Sequence, residues 1–455
     1  MNFFDIAHFL DIIDIEMISI QAKTFRGGVH PESFKALTKD KSIASLALPK
    51  NVAIPLLQNT GRPADPIVKS GDTVLKGQLI GESISFISSK VHASLSGKVT
   101  AVGEVINPIY GKSNCVFIES DGRDLPHPSL RGITSPESLS REKIVEIIKN
   151  AGIVGLGGAA FPTHVKLLGI KEDKNYSLII NGAECEPFLT CDQRLMVENS
   201  EEILKGIRLL AKASNAKDVH IAIENNKPKA IRAMKKAAVG SGYRIVTLKT
   251  KYPQGGEKQL IKAILGREVP PEKLPLDVDC IVQNVGTAFA AYEAVYKGLP
   301  LIERCVTLTG SCLKNPGNFR VRIGTLLTDI VQTSCGGFVK EPAKIILGGP
   351  MMGIAHYSAD IPIIKGITGV VFLSREEAEV PEESICVKCG RCVDVCPVNL
   401  LPTEIVKYVK RKGIDYLDKL NVFDCIECGA CSFGCAARIP IVQYIKLAKK
   451  MLRKQ

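Results

Sequence analysis

The spacing of apolar and polar positions divides this chain into regions with different periods. Residues 45–125 run as short β-like segments broken by Gly, Pro and Asn. Pro66–Gly81 reads as strand, turn, strand, and Val91–Val102 follows in the same manner. From 136 to 300 helical and strand periods alternate. Ser140 caps a predicted helix whose apolar face is Ile144, Ile147 and Ile148, ending at Gly152. Tyr176–Ile180 is a β-rich run. Ser200 opens an amphipathic helix through Ile203, Leu204, Ile207 and Leu210. Val219–Ile223 (strand), Pro228–Ala238 (helix, ended by Gly240) and Tyr243–Leu248 (strand) then make a βαβ unit, which implies a parallel sheet. Residues 301–372 return to short glycine-rich strands such as Val306–Gly310 and Lys344–Pro350. From Glu382 onward the pattern is helical, with Pro402–Lys410 and Ile439–Leu452 flanking a cysteine-rich core.

Composition narrows this picture. At 455 residues the chain has room for about three domains. Hydrophobic content of 45% with 23% charged residues reads as globular and soluble. No apolar run reaches the length of a membrane-spanning helix, so any membrane attachment is expected to be peripheral. The net charge is +12, and Lys446, Lys449, Lys450, Arg453 and Lys454 crowd the last ten residues. Such a tail suits acidic phospholipid or an acidic redox partner, or is simply a solvated helix end favoured by the helix dipole. Basic residues are not interleaved with aromatics and Trp is absent, which argues against nucleic acid. Among the first sixteen residues, Phe3, Phe4, Ile6, Phe9, Leu10, Ile12 and Ile13 sit between acids. They read as a short amphipathic helix or as sequence upstream of an initiator at Met17, with the second favoured.

The sharpest signal is cysteine spacing. Cys386-x2-Cys389-x2-Cys392-x3-Cys396-Pro397 is followed by Cys425-x2-Cys428-x2-Cys431-x3-Cys435. This is the bacterial 4Fe–4S spacing, in which one turn supplies three thiolates and the fourth cysteine of each run serves the other cluster. Cluster one is therefore assigned Cys386, Cys389, Cys392 and Cys435, and cluster two Cys425, Cys428, Cys431 and Cys396. Ala436 stands where a proline usually follows the second run, but all the thiolates are intact. The other seven of the fifteen cysteines have no disulfide-like spacing, and no basic secretory leader is evident. Both point to a reducing, cytoplasmic compartment.

Within the α/β region, Gly155-Leu-Gly-Gly-Ala-Ala-Phe-Pro-Thr163 with Lys166 follows an apolar segment. Glycines there let the backbone approach a planar or phosphorylated ligand, and the amides at the next helix start suit an anion. The loop departs from the dinucleotide pattern G-x-G-x-x-G, and by itself is a weak signal. Three further motifs come after it: Asn181-Gly-Ala-Glu-Cys-Glu-Pro187, with Thr190, Asp192 and Arg194 just beyond, then Tyr252-Pro-Gln-Gly-Gly-Glu257, then Gln283-Asn-Val-Gly-Thr287.

In this order the motifs resemble the NADH-binding flavoprotein subunit of respiratory complex I. Residues 45–125 resemble the barrel-sandwich fold of biotinyl and lipoyl carrier domains. Lys90 lies near the position of their modified lysine, but its flanks do not match, so a docking module without a prosthetic group is expected. With the opening Phe25-Arg-Gly-Gly-Val-His-Pro31 and the duplicated cysteine run, the chain from about Thr24 resembles the RnfC family, a component of the membrane-bound Rnf ferredoxin:NAD+ oxidoreductases.

The resemblance implies a multidomain α/β architecture: an N-terminal segment (1–44), a barrel-sandwich domain (45–133), an FMN/NADH-binding α/β domain (134–300), a β-grasp domain of the soluble-ligand-binding type (301–375) and a ferredoxin-type helical domain (376–455). It implies that Gly155, Gly157, Lys166, Asn181, Glu184, Tyr252, Gly255, Gly256, Asn284 and Thr287 surround FMN. Phe161, Glu186 and Glu257 would meet NAD(H). Ala183 and Gly256 replace acids of the complex I pattern, which bears on how the nucleotide is held. The implied partners are the other subunits of a membrane complex, including an iron–sulfur subunit that accepts electrons from ferredoxin, on the cytoplasmic side. A cobalamin-reductase-type soluble enzyme would lack the leading barrel-sandwich domain. A docking subunit that has lost nucleotide binding would carry electrons through its clusters alone.

Overall fold

The computed structural model describes residues 22–453. The segment 1–16, the Met17 start and Lys454 lie outside the described residues. Four strands, Tyr176–Gly182, Ala216–Glu224, Arg244–Leu248 and Cys280–Asn284, form an all-parallel sheet, as the alternating pattern predicts. The Tyr176–Gly182 and Cys280–Asn284 strands are buried almost throughout, because helices cover both faces of a parallel sheet. Spatial order is Arg244–Leu248, Ala216–Glu224, Tyr176–Gly182, Cys280–Asn284. The chain thus builds outward in one direction, then returns to lay its last strand on the opposite side of the first. That reversal opens a crevice at the carboxyl ends of Tyr176–Gly182 and Cys280–Asn284, the usual ligand position in such sheets.

The Ser140 cap is as predicted: its side chain accepts the Lys143 N–H at the head of the helix Arg141–Asn150. The helix Ser200–Ala213 also begins where the periodicity places it. The helix Val285–Tyr296 escapes the periodic reading because it is buried on nearly every side and has no polar stripe. Ahead of this domain, a four-stranded antiparallel sheet (Asn51–Pro55, Gly111–Ser120, Gly97–Asn107, Thr73–Val74) accompanies a three-stranded one (Asp65–Pro66, Leu79–Glu82, Val91–His92). Its long hairpin, Gly97–Asn107 with Gly111–Ser120, is more continuous than the short runs expected from sequence. Lys90 is not a free hairpin tip. Its ammonium pairs with Glu82 at 2.8 Å and its carbonyl accepts from Lys365.

Residues 303–373 contribute most of a six-stranded mixed sheet. The boundary at residue 44 needs correction. Ile43–Ser45 is an edge strand of this distant sheet, pairing in parallel with Gly317–Arg322. Sequence adjacency assigns it elsewhere, but an open sheet edge is satisfied by any strand that can reach it. The helices Pro402–Lys410 and Ile441–Leu452 pack through Ile405, Val406, Val409, Ile441, Ile445 and Ala448 around Cys392 and Cys431.

One buried cation joins three units. Lys365, 1% exposed, donates from Nζ to Ser89 Oγ (3.1 Å), Lys90 O (2.7 Å) and Gly152 O (2.8 Å). Burial pushes its ammonium down to about 7, so these three acceptors carry its solvation. Replacing it by methionine removes the donor shared by all three, and of them Gly152 O alone keeps a close second partner, the Ser89 hydroxyl at 2.9 Å. Lys365→Met is expected to destabilise the fold by about 2–4 kcal/mol, read as a lower thermal melting midpoint at unchanged secondary-structure content.

Candidate flavin crevice and cysteine centres

The segment after the helix Arg141–Asn150 closes into a tight loop. Gly155 N donates to Phe161 O at 2.8 Å and Val154 bridges Pro162. Gly158 has φ +108°, which a residue with a side chain rarely adopts. Residues 157–159 are exposed at the crevice, while Leu156 N donates to Thr287 Oγ1 at 2.9 Å, tying the loop to the first turn of Val285–Tyr296. Asn284 caps that helix through Gly286 N (2.8 Å), and its amide donates to buried Asp192 (2.7 Å). Burial, and then the neighbouring Glu184 carboxylate, pushes Asp192 up to about 7.

Asn181, directly paired with Asn284 across the two strands, donates to Gly255 O at 3.0 Å. Lys166 Nζ reaches Glu257 (2.7 Å) and Val282 O (3.3 Å). Gly155, Gly157, Lys166, Asn181, Gly255, Glu257, Asn284 and Thr287 therefore gather at one end of the sheet. Gly256 precedes the helix Glu257–Leu265 as its N-cap, where a Cβ would stand 2.3 Å from Gln259 Oε1. Ala183 is fully buried in an apolar cluster, so the acid it replaces would be desolvated there. Phe161 is half-buried at the end of the loop.

Three residues point elsewhere. The Glu184 carboxylate accepts Asp192 N (2.7 Å) and Gln193 N (3.3 Å), capping the helix Cys191–Glu198. Glu186 accepts Met351 N (3.0 Å) and Met352 N (2.9 Å) from the mixed-sheet unit, and burial pushes it up to about 7. Tyr252 is 1% exposed and directs its hydroxyl to Cys428 O at 2.7 Å, away from the crevice.

Sequence reasoning missed two supporting cations. Lys35 Nζ donates to the carbonyls of Glu184 (3.0 Å), Glu186 (2.9 Å) and Leu189, holding the acidic loop from beneath. Nothing in its local pattern marks it, because its partners lie some 150 positions away. Arg304 donates to Leu156 O (3.1 Å) and Ile367 O (3.1 Å). It occupies the inward phase of the Glu303–Thr309 strand with Val306 and Leu308, and a charge on that phase was the available signal.

Cys396, Cys425, Cys428 and Cys431 line one small cavity with Leu400, Val442 and Ile445. Two of these sulfurs already accept amide N–H groups, Cys396 from Leu400 and Cys425 from Glu427, each at 3.3 Å. Three buried thiols and one half-buried thiol converging on an apolar cavity, with amides aimed at two of the sulfurs, fit an iron–sulfur cubane. The second set is more open: Cys392 is buried and Cys435 half-buried, but Cys386 and Cys389 are exposed. The exposed backbone of residues 157–159, where a Cβ on Gly158 would meet nothing within 4 Å, likewise leaves room for a planar ligand against the loop.

A parallel-sheet flavin crevice beside a two-cluster cysteine domain defines a flavin- and iron–sulfur-containing electron-transfer protein. Family comparisons agree region by region. Residues 148–293 match the Nuo51 FMN-binding domain, 23–123 the RnfC barrel sandwich hybrid domain, 305–355 the SLBB domain and 385–439 the 4Fe–4S dicluster domain. The chain is 46% identical over 429 residues to the C component of the proton-translocating ferredoxin:NAD(+) oxidoreductase complex of Clostridium ljungdahlii, covering 94% of this chain and 93% of that one. It is 44% identical over 435 residues to the C component of the Na(+)-translocating complex of Acetobacterium woodii, covering 95% and 98%. The C component of the ion-translocating oxidoreductase complex of Rhodobacter capsulatus is 43% identical, over 95% and 84%. The chain belongs to this family, the RnfC family of the Rnf complex.

The geometry makes two mutational expectations concrete. Cys396→Ser and Cys435→Ser should each lower iron from about eight to about four atoms per chain, with different clusters lost by paramagnetic resonance. Gly157→Val should weaken FMN binding at least about tenfold, or about 1.4 kcal/mol, by fluorescence-quenching titration, with little change in melting because the position is exposed.

Proposed function

We propose that this chain is the electron-transfer subunit of an ion-translocating ferredoxin:NAD+ oxidoreductase complex, passing electrons between NAD(H), FMN and two 4Fe–4S clusters. When bound, FMN supplies hydride exchange with a nicotinamide and single-electron exchange with an iron–sulfur centre. The observation that carries the reading is adjacency. The loop that contributes Gly255 to the crevice also contributes Tyr252 to the wall of the Cys428 turn.

Gly155, Gly157, Lys166, Asn181, Gly255, Gly256, Asn284 and Thr287 would hold FMN, with Lys166 as the cation available to its phosphate or ring carbonyl. Glu184 and Tyr252 would support the crevice from behind. Phe161 and Glu257 would meet NAD(H), and Glu186 would shape that side through its hold on Met351 and Met352. Cys425, Cys428, Cys431 and Cys396 would hold the cluster nearer the flavin. Cys386, Cys389, Cys392 and Cys435 would hold the outer one, whose exposed cysteines suit an iron–sulfur partner subunit. Among the described residues no helix is long and apolar enough to cross a membrane. Likeness to subunits of ion-translocating complexes supports attachment through partner subunits, at the cytoplasmic face of the membrane.

The test is anaerobic. With iron, sulfide and FMN restored to the full chain, NADH should bleach flavin absorbance and then produce signals from two interacting cubanes. Clusters that dithionite reduces while NADH changes neither flavin nor clusters would leave only a docking or wire subunit.

A further inference from the structure

We propose that Tyr252 is a positioning residue that couples occupancy of the flavin crevice to the geometry of the Cys428 turn. The inference rests on the function proposed above and concerns a linkage between its two sites.

Three observations support it. First, Tyr252 is among the largest side chains that are fully buried, and its hydroxyl is committed to the Cys428 carbonyl at 2.7 Å. A carbonyl oxygen can only accept, so the phenol is the donor of this bond. Second, the accepting peptide sits at a sensitive point. The next residue, Gly429, has φ +78° and opens the short helix Ala430–Phe433, and the Ala430 amide faces the Cys428 sulfur. The orientation of the Cys428–Gly429 peptide therefore sets how that sulfur is presented. Third, the other end of the same loop is in the crevice. Gly255 accepts from Asn181 at 3.0 Å and donates to Cys185 Sγ at 3.2 Å. Cys185, Met351, Val395 and Ile426 pack against the cluster formed by Val29, Tyr252, Cys428 and Ala430, leaving little slack between the ends.

The backbone of Tyr252 is also held in register by Val29, with N–H to O bonds of 2.8 Å in both directions. Removing the hydroxyl alone should therefore leave the loop in place. A ligand that shifts Gly255 moves a short, braced segment whose hydroxyl ends on the peptide beside a cluster-ligating sulfur. Linkage requires the effect to be reciprocal: if FMN alters the cysteine turn, a filled cysteine site alters FMN affinity by the same factor.

The experiment uses the full chain, either loaded with iron and sulfide or stripped of iron, and FMN as the probe. In wild type, FMN should bind about fivefold more tightly or more weakly to the loaded chain than to the stripped one. Adding FMN should change the resonance spectrum of one cluster and leave the other unaltered. Tyr252→Phe, which keeps the ring, should bind FMN equally in both forms and lose the spectral change, with its iron content retained. An unchanged affinity ratio in Tyr252→Phe, or a wild-type ratio of one, would overturn the coupling. If Tyr252→Phe fails to fold, the wild-type spectrum decides alone, and no response of either cluster to FMN overturns the proposal. A loaded wild-type chain that binds no FMN overturns the flavin reading as well, which separates the two failures.

Discussion

The structure depends on how closely the two-cluster domain is held against the flavin crevice, and two glycines control that approach. Gly28 N donates to Val395 O at 2.8 Å, one residue from Cys396. A Cβ on Gly27 would lie 2.9 Å from Cys396 O, and one on Gly28 would lie 2.6 Å from Tyr252 O. Both glycines have φ above +80°, so neither the contact nor the backbone leaves room for a side chain. The N-terminal strap is thus threaded between the Tyr252 loop and the Cys396 turn. Lys251 secures it by donating to the carbonyls of Phe25 and Gly27, each at 2.6 Å, with its ammonium 4.0 Å from the centre of the Phe25 ring.

Buried charges recur wherever separate units meet. Lys35 holds the acidic loop, Lys365 joins three units and Arg304 spans from the mixed sheet to the glycine loop, while inside the parallel-sheet unit Lys227 pairs with Glu224 at 2.9 Å with both side chains essentially inaccessible. Such groups are poor sources of net stability, because desolvation offsets much of their Coulombic gain. Their hydrogen bonds are directional, however, and misplacing one would strand a charge in a low-dielectric interior. That makes them effective at enforcing one relative placement of domains that an apolar contact alone would define loosely.

The departures from the complex I pattern follow from the same packing. Ala183 sits inside an apolar cluster and Gly256 caps a helix against Gln259. An acid in place of Ala183 would need a partner that the apolar cluster does not supply, while at the Gly256 N-cap the obstacle is steric, with Gln259 Oε1 2.3 Å from where any Cβ would stand. Glu184 and Glu186, which keep their identity, are held by backbone amides. They act on the crevice through the helix Cys191–Glu198 and the Met351–Met352 turn.

The chemistry was legible in the sequence wherever it resides in local spacing. Three thiolates from one turn, a glycine loop before a helix and an asparagine at a strand end are properties of a few consecutive residues, and so is the alternation that implies a parallel sheet. Cys396 lines one cavity with Cys425, Cys428 and Cys431, the grouping that the spacing rule implies. Tertiary structure alone decided contacts between residues far apart in the chain. It assigned Ile43–Ser45 to a remote sheet, placed Lys35 beneath a loop 149 positions away, and turned Tyr252 from the crevice toward Cys428. The physical reason is that hydrogen-bond donors and sheet edges are satisfied by whatever the fold brings within reach. Local sequence states which groups need partners, and only the packed chain determines which partners they find.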